Sequence, residues 1–148
     1  MLLVLDDVWR LGCATAIGLA IGLNRNLAGK PMGMRTLALV SLGAAIITLA
    51  TISFGDLAAN PAALSRVVQG IIQGVLTGIG FIGAGVILRD REQQTVHGLT
   101  TAATVWVAAA LGVACGLAAW KVVSIGTILT IAILVMLRWV ERRWHIGE

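Results

Sequence analysis

The chain has 148 residues, of which 58% are hydrophobic and 12% charged, and its formal net charge is +4. Its mean hydropathy of +0.94 is too high for a soluble domain of this size, so the sequence predicts an integral membrane protein. A basic balance can also indicate nucleic-acid binding, but the eleven Lys and Arg residues lie at the ends of apolar segments and form no basic patch.

Charge-free stretches predict one transmembrane domain over residues 1–148, an all-α membrane bundle of about five helices. The predicted spans, in chain order, are about 8–23, 36–54, 67–88, 98–115 and 118–137. Most approach the roughly 20 apolar residues that a helix needs to cross a hydrocarbon core. The first is the weakest because Arg10 interrupts it, and a re-entrant segment stays open as the alternative there.

Basic residues divide unequally between the two sides that five spans define. One side carries eight Lys and Arg residues, in the loops at 25–35 and 89–91 and in the tail at 138–143, whereas the other side carries three. By the positive-inside rule, this predicts a multi-pass protein with its N-terminus outside and its C-terminus in the cytoplasm.

The tryptophans fit the same orientation. Trp9 and Trp120 are expected near the outer interface, and Trp139 and Trp144 near the inner one, as in an aromatic belt. Trp106 falls within the fourth span and is expected to pack inside the bundle.

Glycines concentrate in the third span, which carries Gly70, Gly74, Gly78, Gly80, Gly83 and Gly85. Glycine weakens a helix in water and is tolerated where helix backbones must approach closely. The four-residue spacing here, repeated at Gly18–Gly22 and Gly112–Gly116, favours close helix packing. The alternative is a broken helix near residues 80–85, whose free backbone groups line a polar cavity. The GxGxxG at 78–83 does not predict a dinucleotide site, because it lies inside an apolar span with no preceding strand.

Polar side chains within the third and fourth spans are further candidates for function. Gln69 and Gln73 are costly in lipid and are expected to face the bundle interior or its outer mouth. Thr100, Thr101 and Thr104 are expected to hydrogen-bond to their own or a neighbouring helix, with a ligand role as the alternative.

Catalytic and metal-binding patterns are missing from the sequence. The predicted spans hold no Asp or Glu between their ends, so they offer no carboxylate for Mg²⁺. There is no nucleophile–base pair, Walker loop or metal-ligand spacing, and Asp90 lies among arginines in a loop. We therefore expect a protein that is not an enzyme and that holds no cofactor or metal.

Four blocks of residues follow one another in a recognisable order. They are GLAIGLNR at 18–25, GKPMGMRTLALV at 29–40, GIGFIGAGVILRD at 78–90 and VHGLTTAATVW at 96–106. In this order they resemble the MgtC/SapB family of bacterial inner-membrane proteins, over nearly the whole chain. The resemblance implies about five spans and, in some members, a link to magnesium homeostasis and survival in low magnesium. It also implies modulation of a partner membrane complex, with ATP synthase as the proposed partner, in place of autonomous Mg²⁺ transport.

The chain departs from that family at three points. Asn24 stands where the family usually has an acidic residue, and the segment 66–78 repeats a Gln-Gly step, which adds about one helical turn. Family members linked to virulence resemble this chain with an added cytoplasmic C-terminal domain, so the chain is expected to be a short form without it.

Two functions are compatible with these observations. The first is a non-enzymatic regulator that binds a partner protein through a cytoplasmic surface, although anionic lipids would attract the same arginines. That surface comprises Arg25, Lys30, Arg35, Arg89, Asp90 and residues 138–143. The second is an ion or small-solute transporter or channel. Its path would be lined by Gly78–Gly85, Thr100, Thr101 and Thr104. A homo-oligomer is expected, since five short helices enclose little volume.

Overall fold

Five helices and one short hairpin make up the computed structural model, which describes residues 2–53, 61–90 and 95–144. The elements are α1 (Leu2–Leu27), α2 (Met34–Ile52), α3 (Pro61–Val86), β1 (Leu88–Asp90), β2 (Thr95–His97), α4 (Leu99–Gly116) and α5 (Trp120–Trp144). The prediction of a bundle of about five helices is confirmed.

Three of the described helices are long and apolar enough to cross a membrane. They are α2, the Ala62–Val86 part of α3, and α4, whereas the apolar part of α5, Trp120–Met136, is shorter. The third predicted span is wrong at its end: α3 stops at Val86, and Leu88 pairs with His97 in the antiparallel β-hairpin. Phe54, the predicted end of the second span, lies outside the described residues.

The hairpin joins α3 to α4 through a position that requires glycine. Gly98 has φ +91°, and a Cβ there would overlap the carbonyl oxygen of Val86. A residue with a side chain would therefore be both strained and blocked at this point. The tight turn returns the chain directly into α4, which runs antiparallel to α3.

Helices α1, α2 and α4 form the core of the bundle, and glycines let their backbones meet. A Cβ on Gly18 would lie 2.5 Å from the carbonyl oxygen of Leu37, and one on Gly116 would lie 2.6 Å from the Cβ of Thr48. Small residues such as Ala14 and Ala45 are fully buried between these helices. The predicted close packing is confirmed for Gly18, Gly22, Gly112 and Gly116.

Trp106 is not inside the bundle, which corrects the sequence expectation. Its side chain is 47% exposed on the outer side of α4. The inner side of α4 presents Ala108, Ala109 and Gly112, which allow α2 to approach closely. An indole ring at those positions would hold the two helices apart, so it is the small residues that set the inner face.

The glycine-rich third span is one continuous helix. No break interrupts α3 between Pro61 and Val86, so the alternative of a broken helix near residues 80–85 is wrong. The backbone groups in that stretch remain within the helical ladder and do not line a polar cavity.

Candidate functional site at the basic end

One end of the bundle gathers most of the positive charge, and we call it the basic end. Here α1 finishes, α2 begins, the β-hairpin leads into α4, and the C-terminal part of α5 returns. The guanidinium Nη2 of Arg138 donates to the carbonyl oxygen of Leu27 at 2.8 Å, which ties α5 to the C-terminal end of α1. Segments that are distant in sequence are therefore brought to one surface.

Arg25 is the buried centre of this end. Only 3% of the residue is exposed. Its Nη2 donates to the carbonyl oxygen of Pro31 at 3.2 Å and to Oγ1 of Thr101 in the first turn of α4. The side chain therefore connects α1, the α1–α2 loop and α4, and it holds two helices and a loop in register.

The α1–α2 loop folds back on Arg25 because its backbone closes a compact turn. Lys30 N–H donates to the carbonyl oxygen of Arg25 at 3.1 Å, and Gly29 takes the left-handed conformation with φ +66°. The Asn26 side chain occupies the space where a Cβ on Gly33 would lie. These local features fix the Pro31 carbonyl group in front of the guanidinium.

The electrostatics of this junction are strongly positive. Arg25 bonds to neutral oxygens, its Nε has no partner in the described part of the chain, and no described residue supplies it with a carboxylate. The N-terminus of α4 adds the positive end of a helix dipole beside it. Lys30 and Arg35 are exposed on the same end. Such a surface suits anionic partners, either acidic protein segments or lipid phosphates.

Hydroxyl hydrogen bonds of the expected kind are present at two of the three threonines of the fourth helix. Thr104 is buried and its Oγ1 donates to the carbonyl oxygen of Thr100 at 2.7 Å, while Thr101 is buried against Arg25. Thr100 is exposed. The hydroxyl groups of Thr101 and Thr104 are thus engaged inside the chain.

Arg89 and Asp90 lie in the hairpin that borders the basic end. Their backbones pair with Val96 and Thr95, respectively. Their side chains, and residues 91–94, lie outside the described structure, so the expected contribution of Arg89 and Asp90 to the inner surface stays a prediction.

The candidate residues of α3 do not join the basic end or the threonines. Gly83 is buried, with the Cβ of Ala102 3.5 Å from the position of an added Cβ. In contrast, an added Cβ on Gly78, Gly80 or Gly85 would meet no atom within 4 Å. Gln69 and Gln73 are both exposed, so neither faces the interior of the single chain, and the alternative position at the outer mouth of the bundle stays a prediction. These glycines and the threonines of α4 do not line one common path within the described chain.

Sequence reasoning missed a second arginine contact, at the opposite end of the bundle. Nη1 of Arg10 donates to the carbonyl oxygen of Gly116 at 3.0 Å, and Arg10 also forms an ion pair with Asp6. The C-terminus of a helix leaves carbonyl groups without partners and carries partial negative charge. The signal available in the sequence was a basic residue, Arg10, inside an otherwise apolar span.

The two arginine contacts also show that α1 runs along the whole of α4. Fifteen residues separate the two arginines in α1, and fifteen separate their partners in α4, which is about 22 Å of helix. The helices are therefore antiparallel and lie side by side over the length of α4, whereas α1 is not among the helices that are apolar enough to count as a span.

Metal ligation has no support among the described residues. Within 2–53, 61–90 and 95–144, no group of three or more His, Cys, Asp or Glu side chains is placed to hold an ion. What the arrangement offers chemically is binding by charge and hydrogen bonding.

Comparison with known proteins gives consistent matches over most of the chain. The model of the MgtC family matches residues 11–143. The chain is 42% identical to protein SrpB of Synechococcus elongatus, over 93% of this chain and 81% of that protein. No solved structure matches it.

Two longer relatives match the same region. The chain is 34% identical to protein SapB of Bacillus subtilis, over 93% of this chain and 59% of that protein. It is 36% identical to protein MgtC of Salmonella typhimurium, over 96% of this chain and 57% of that protein. The chain thus spans less than two thirds of the length of these two relatives.

Proposed function

The chain belongs to the MgtC family, and from that premise we propose that it is a non-enzymatic inner-membrane protein that modulates another membrane complex during adaptation to low magnesium. The observation that carries the proposal is the basic end, where a buried arginine organises a cationic surface from three separate segments. ATP synthase, the partner that the family resemblance implies, is the first complex to test.

Rigidity distinguishes this surface from a set of scattered arginines. The Arg25 junction fixes the loop that carries Lys30 and leads to Arg35 in the first turn of α2, and the Arg138 contact fixes α5 against the end of α1. A partner would therefore meet preformed positive charge and lose little binding free energy to ordering this side. Lipid headgroups need no such order, because juxtamembrane charges attract them without a fixed geometry.

The proposed orientation places the basic end in the cytoplasm. Consecutive helices are antiparallel, so the loops at 25–35 and 88–98 and the end of α5 share one side, as the charge count requires. A reporter fused after Glu148 tests this, with cytoplasmic activity expected. Periplasmic activity there would reverse the surface assignment.

Transport is the weaker alternative for this chain. The hydroxyl groups of Thr101 and Thr104 are used within the fold, and Gly78, Gly80 and Gly85 point away from them. In proteoliposomes loaded with a magnesium indicator, we expect no flux above that of empty vesicles. Sustained flux that Gly83→Leu abolishes in a folded protein would favour a transporter.

Affinity capture tests the regulator directly. The tagged full chain is recovered from native membranes of magnesium-starved cells, and co-purifying complexes are identified and quantified. Arg35→Glu reverses one exposed charge at the basic end, and Lys121→Glu makes the matched change at the opposite end. We expect Arg35→Glu to lose the partner while Lys121→Glu keeps it.

The functional readout is the activity of the captured complex. If the partner is ATP synthase, ATP-driven acidification of inverted membrane vesicles should change when the chain is present and return to normal with Arg35→Glu. Equal recovery of the partner with both charge reversals would show that the basic end is not the binding surface.

A further inference from the structure

One exposed stripe of α3 lacks the large aliphatic side chains that suit lipid, although Ile72, Phe81 and Ile82 are exposed beside it. Five exposed positions follow the spacing of a coiled-coil seam, with steps of three, four, three and four residues. We call them the α3 seam: Gly70, Gln73, Thr77, Gly80 and Ala84. All are small or polar, although they lie in the middle of an apolar helix.

The exposed side of helix α5 has the composition that suits contact with acyl chains. Its outward positions are large and aliphatic, and each is at least 55% exposed. They are Val122, Ile125, Leu129, Ile133 and Met136. Since both helices are exposed in the single chain, exposure alone does not explain the difference. The α5 side gains from contact with acyl chains, and the α3 seam does not.

Contact with lipid would leave the α3 seam poorly satisfied. The amide of Gln73 can donate and accept hydrogen bonds, and acyl chains offer neither. A Cβ added to Gly70 or Gly80 would meet no atom within 4 Å, so this chain does not use the close approach that these glycines permit. In the most apolar window only 17% of α3 residues are buried, against 61% in α4.

We propose that the α3 seam is covered by a second copy of this chain, packed α3 against α3 across a two-fold axis along the membrane normal. Copies inserted in the same orientation bring identical positions together, so Gln73 meets Gln73. An amide is its own hydrogen-bond complement, which makes an identical helix a sufficient partner. Small residues at steps of three and four permit the short interhelical distance.

A groove beside the seam supports the same occupant. It lies between α2 and α3, has a volume of about 440 Å³, and includes both Gly70 and Gly74 in its wall. Its other lining residues are mainly aliphatic, Ile47, Val67, Ile71 and Val75 among them. The two-fold axis would place such a groove on each side of the seam, where it can receive apolar side chains that lie at the same height on the facing α3.

Cysteine cross-linking in native membranes tests the seam by position. The full chain carrying Gln73→Cys or Thr77→Cys is treated with a short bismaleimide, and Leu129→Cys on the lipid-facing side of α5 is the matched control. Two differently tagged copies are co-expressed, so an adduct containing both tags is a homodimer. Background from the native Cys13 and Cys115 is measured in the unsubstituted chain.

We expect dimer from both seam cysteines, at about fivefold or more over the Leu129→Cys control, because only the seam holds two copies in register. Equal adduct at all three positions would indicate random collision and overturn the proposal. An adduct of Gln73→Cys with a different protein would also overturn it, since another partner would then occupy the seam.

A second measurement separates the interface from the fold. Gly70→Leu and Gly80→Leu add side chains into open space, so the single chain should fold, while two seams could no longer approach. Gly12→Leu, on the exposed side of α1 and also open, is the control. Fluorescence transfer between labelled copies, diluted in vesicles, measures the dimer dissociation constant. We expect it to rise about tenfold or more for the seam variants alone.

A dissociation constant that neither seam variant changes would contradict the α3 contact. The proposal stands apart from the magnesium function, because neither measurement depends on a partner complex.

Discussion

The core helices and α3 carry the same four-residue glycine spacing and use it in opposite ways. In α1 and α4, Gly18, Gly22, Gly112 and Gly116 lie against the backbone or side chains at α2, and substituents there have no space. In α3 most glycines face open space, and Gly83 is the one described glycine of this helix with a near neighbour. A small residue every fourth position therefore marks a face that can be approached closely, but only the facing element shows whether the approach occurs within one chain.

This difference assigns separate tasks to the two regions. The core of α1, α2 and α4 supplies the stability of the single chain and fixes the basic end through Arg25. Helix α3 contributes little buried surface, and in the dimer proposed above its small residues form the contact between copies. Substitutions that are severe in the core should accordingly be mild in α3.

The largest effect is expected for Gly112→Ala. The added Cβ would overlap the carbonyl oxygen of Ser41, and neither helix backbone can move without disturbing the other contacts of α2. We expect unfolding to become easier by about 3 kcal/mol, the upper part of the range for overpacking. The measurement is equilibrium unfolding in mixed micelles with increasing dodecyl sulfate, followed by tryptophan fluorescence.

Gly78→Ala is the paired change in α3, where the added methyl group meets nothing within 4 Å. It should leave the unfolding midpoint unchanged or raise it. Equal loss of stability in the two variants would contradict the distinction between the core helices and α3.

The next effect concerns Arg25→Ala. It removes the donor to the Pro31 carbonyl and to Thr101. A hydrogen bond from a charged donor contributes about 2 kcal/mol to the stability of the fold. Removing a buried charge offsets part of that loss. We expect a net destabilisation of about 2 kcal/mol and faster proteolysis of the α1–α2 loop, because the loop loses its attachment to α4.

Arg25→Lys separates geometry from charge in that experiment. A lysine keeps the charge but lacks the planar fork that reaches two acceptors, so it should restore less than half of the lost stability. Full recovery with lysine would mean that charge alone holds the loop. Unchanged proteolysis in Arg25→Ala would show that the turn closes without the guanidinium.

The core helices and α3 also show which features could be predicted from the sequence. Hydrophobic length predicted the helices, and glycine spacing predicted the tight contacts at Gly18 and Gly112, because both are periodic local properties. The burial of Arg25 and the exposure of Trp106 depend on which helix stands opposite, which no local pattern encodes. The hairpin after α3 was missed because its two strands have three residues each and lie between apolar spans.

Gly78→Ala has a measurable effect of its own, opposite in sign to those above. Alanine is a better helix former than glycine by about 0.8 kcal/mol, and the open environment adds no penalty. We expect slightly greater stability of the single chain and an unchanged dimer, because Gly78 lies beside the α3 seam and is not part of it. A destabilisation would show that another element contacts this side of α3 in the membrane.

The smallest effect is expected for Thr104→Val. The substitution keeps the shape of a buried side chain and removes one bond, from Oγ1 to the Thr100 carbonyl, which remains in the helical ladder. Hydrogen bonds of side chains within membranes average about 0.6 kcal/mol, so the unfolding midpoint should shift only slightly. Thr77→Val makes the same change on the α3 seam and should leave single-chain stability unaltered while weakening the dimer. If instead Thr104→Val abolished function in a folded protein, its hydroxyl group would have a role that the core contact does not explain, and the ligand interpretation of the fourth helix would regain support.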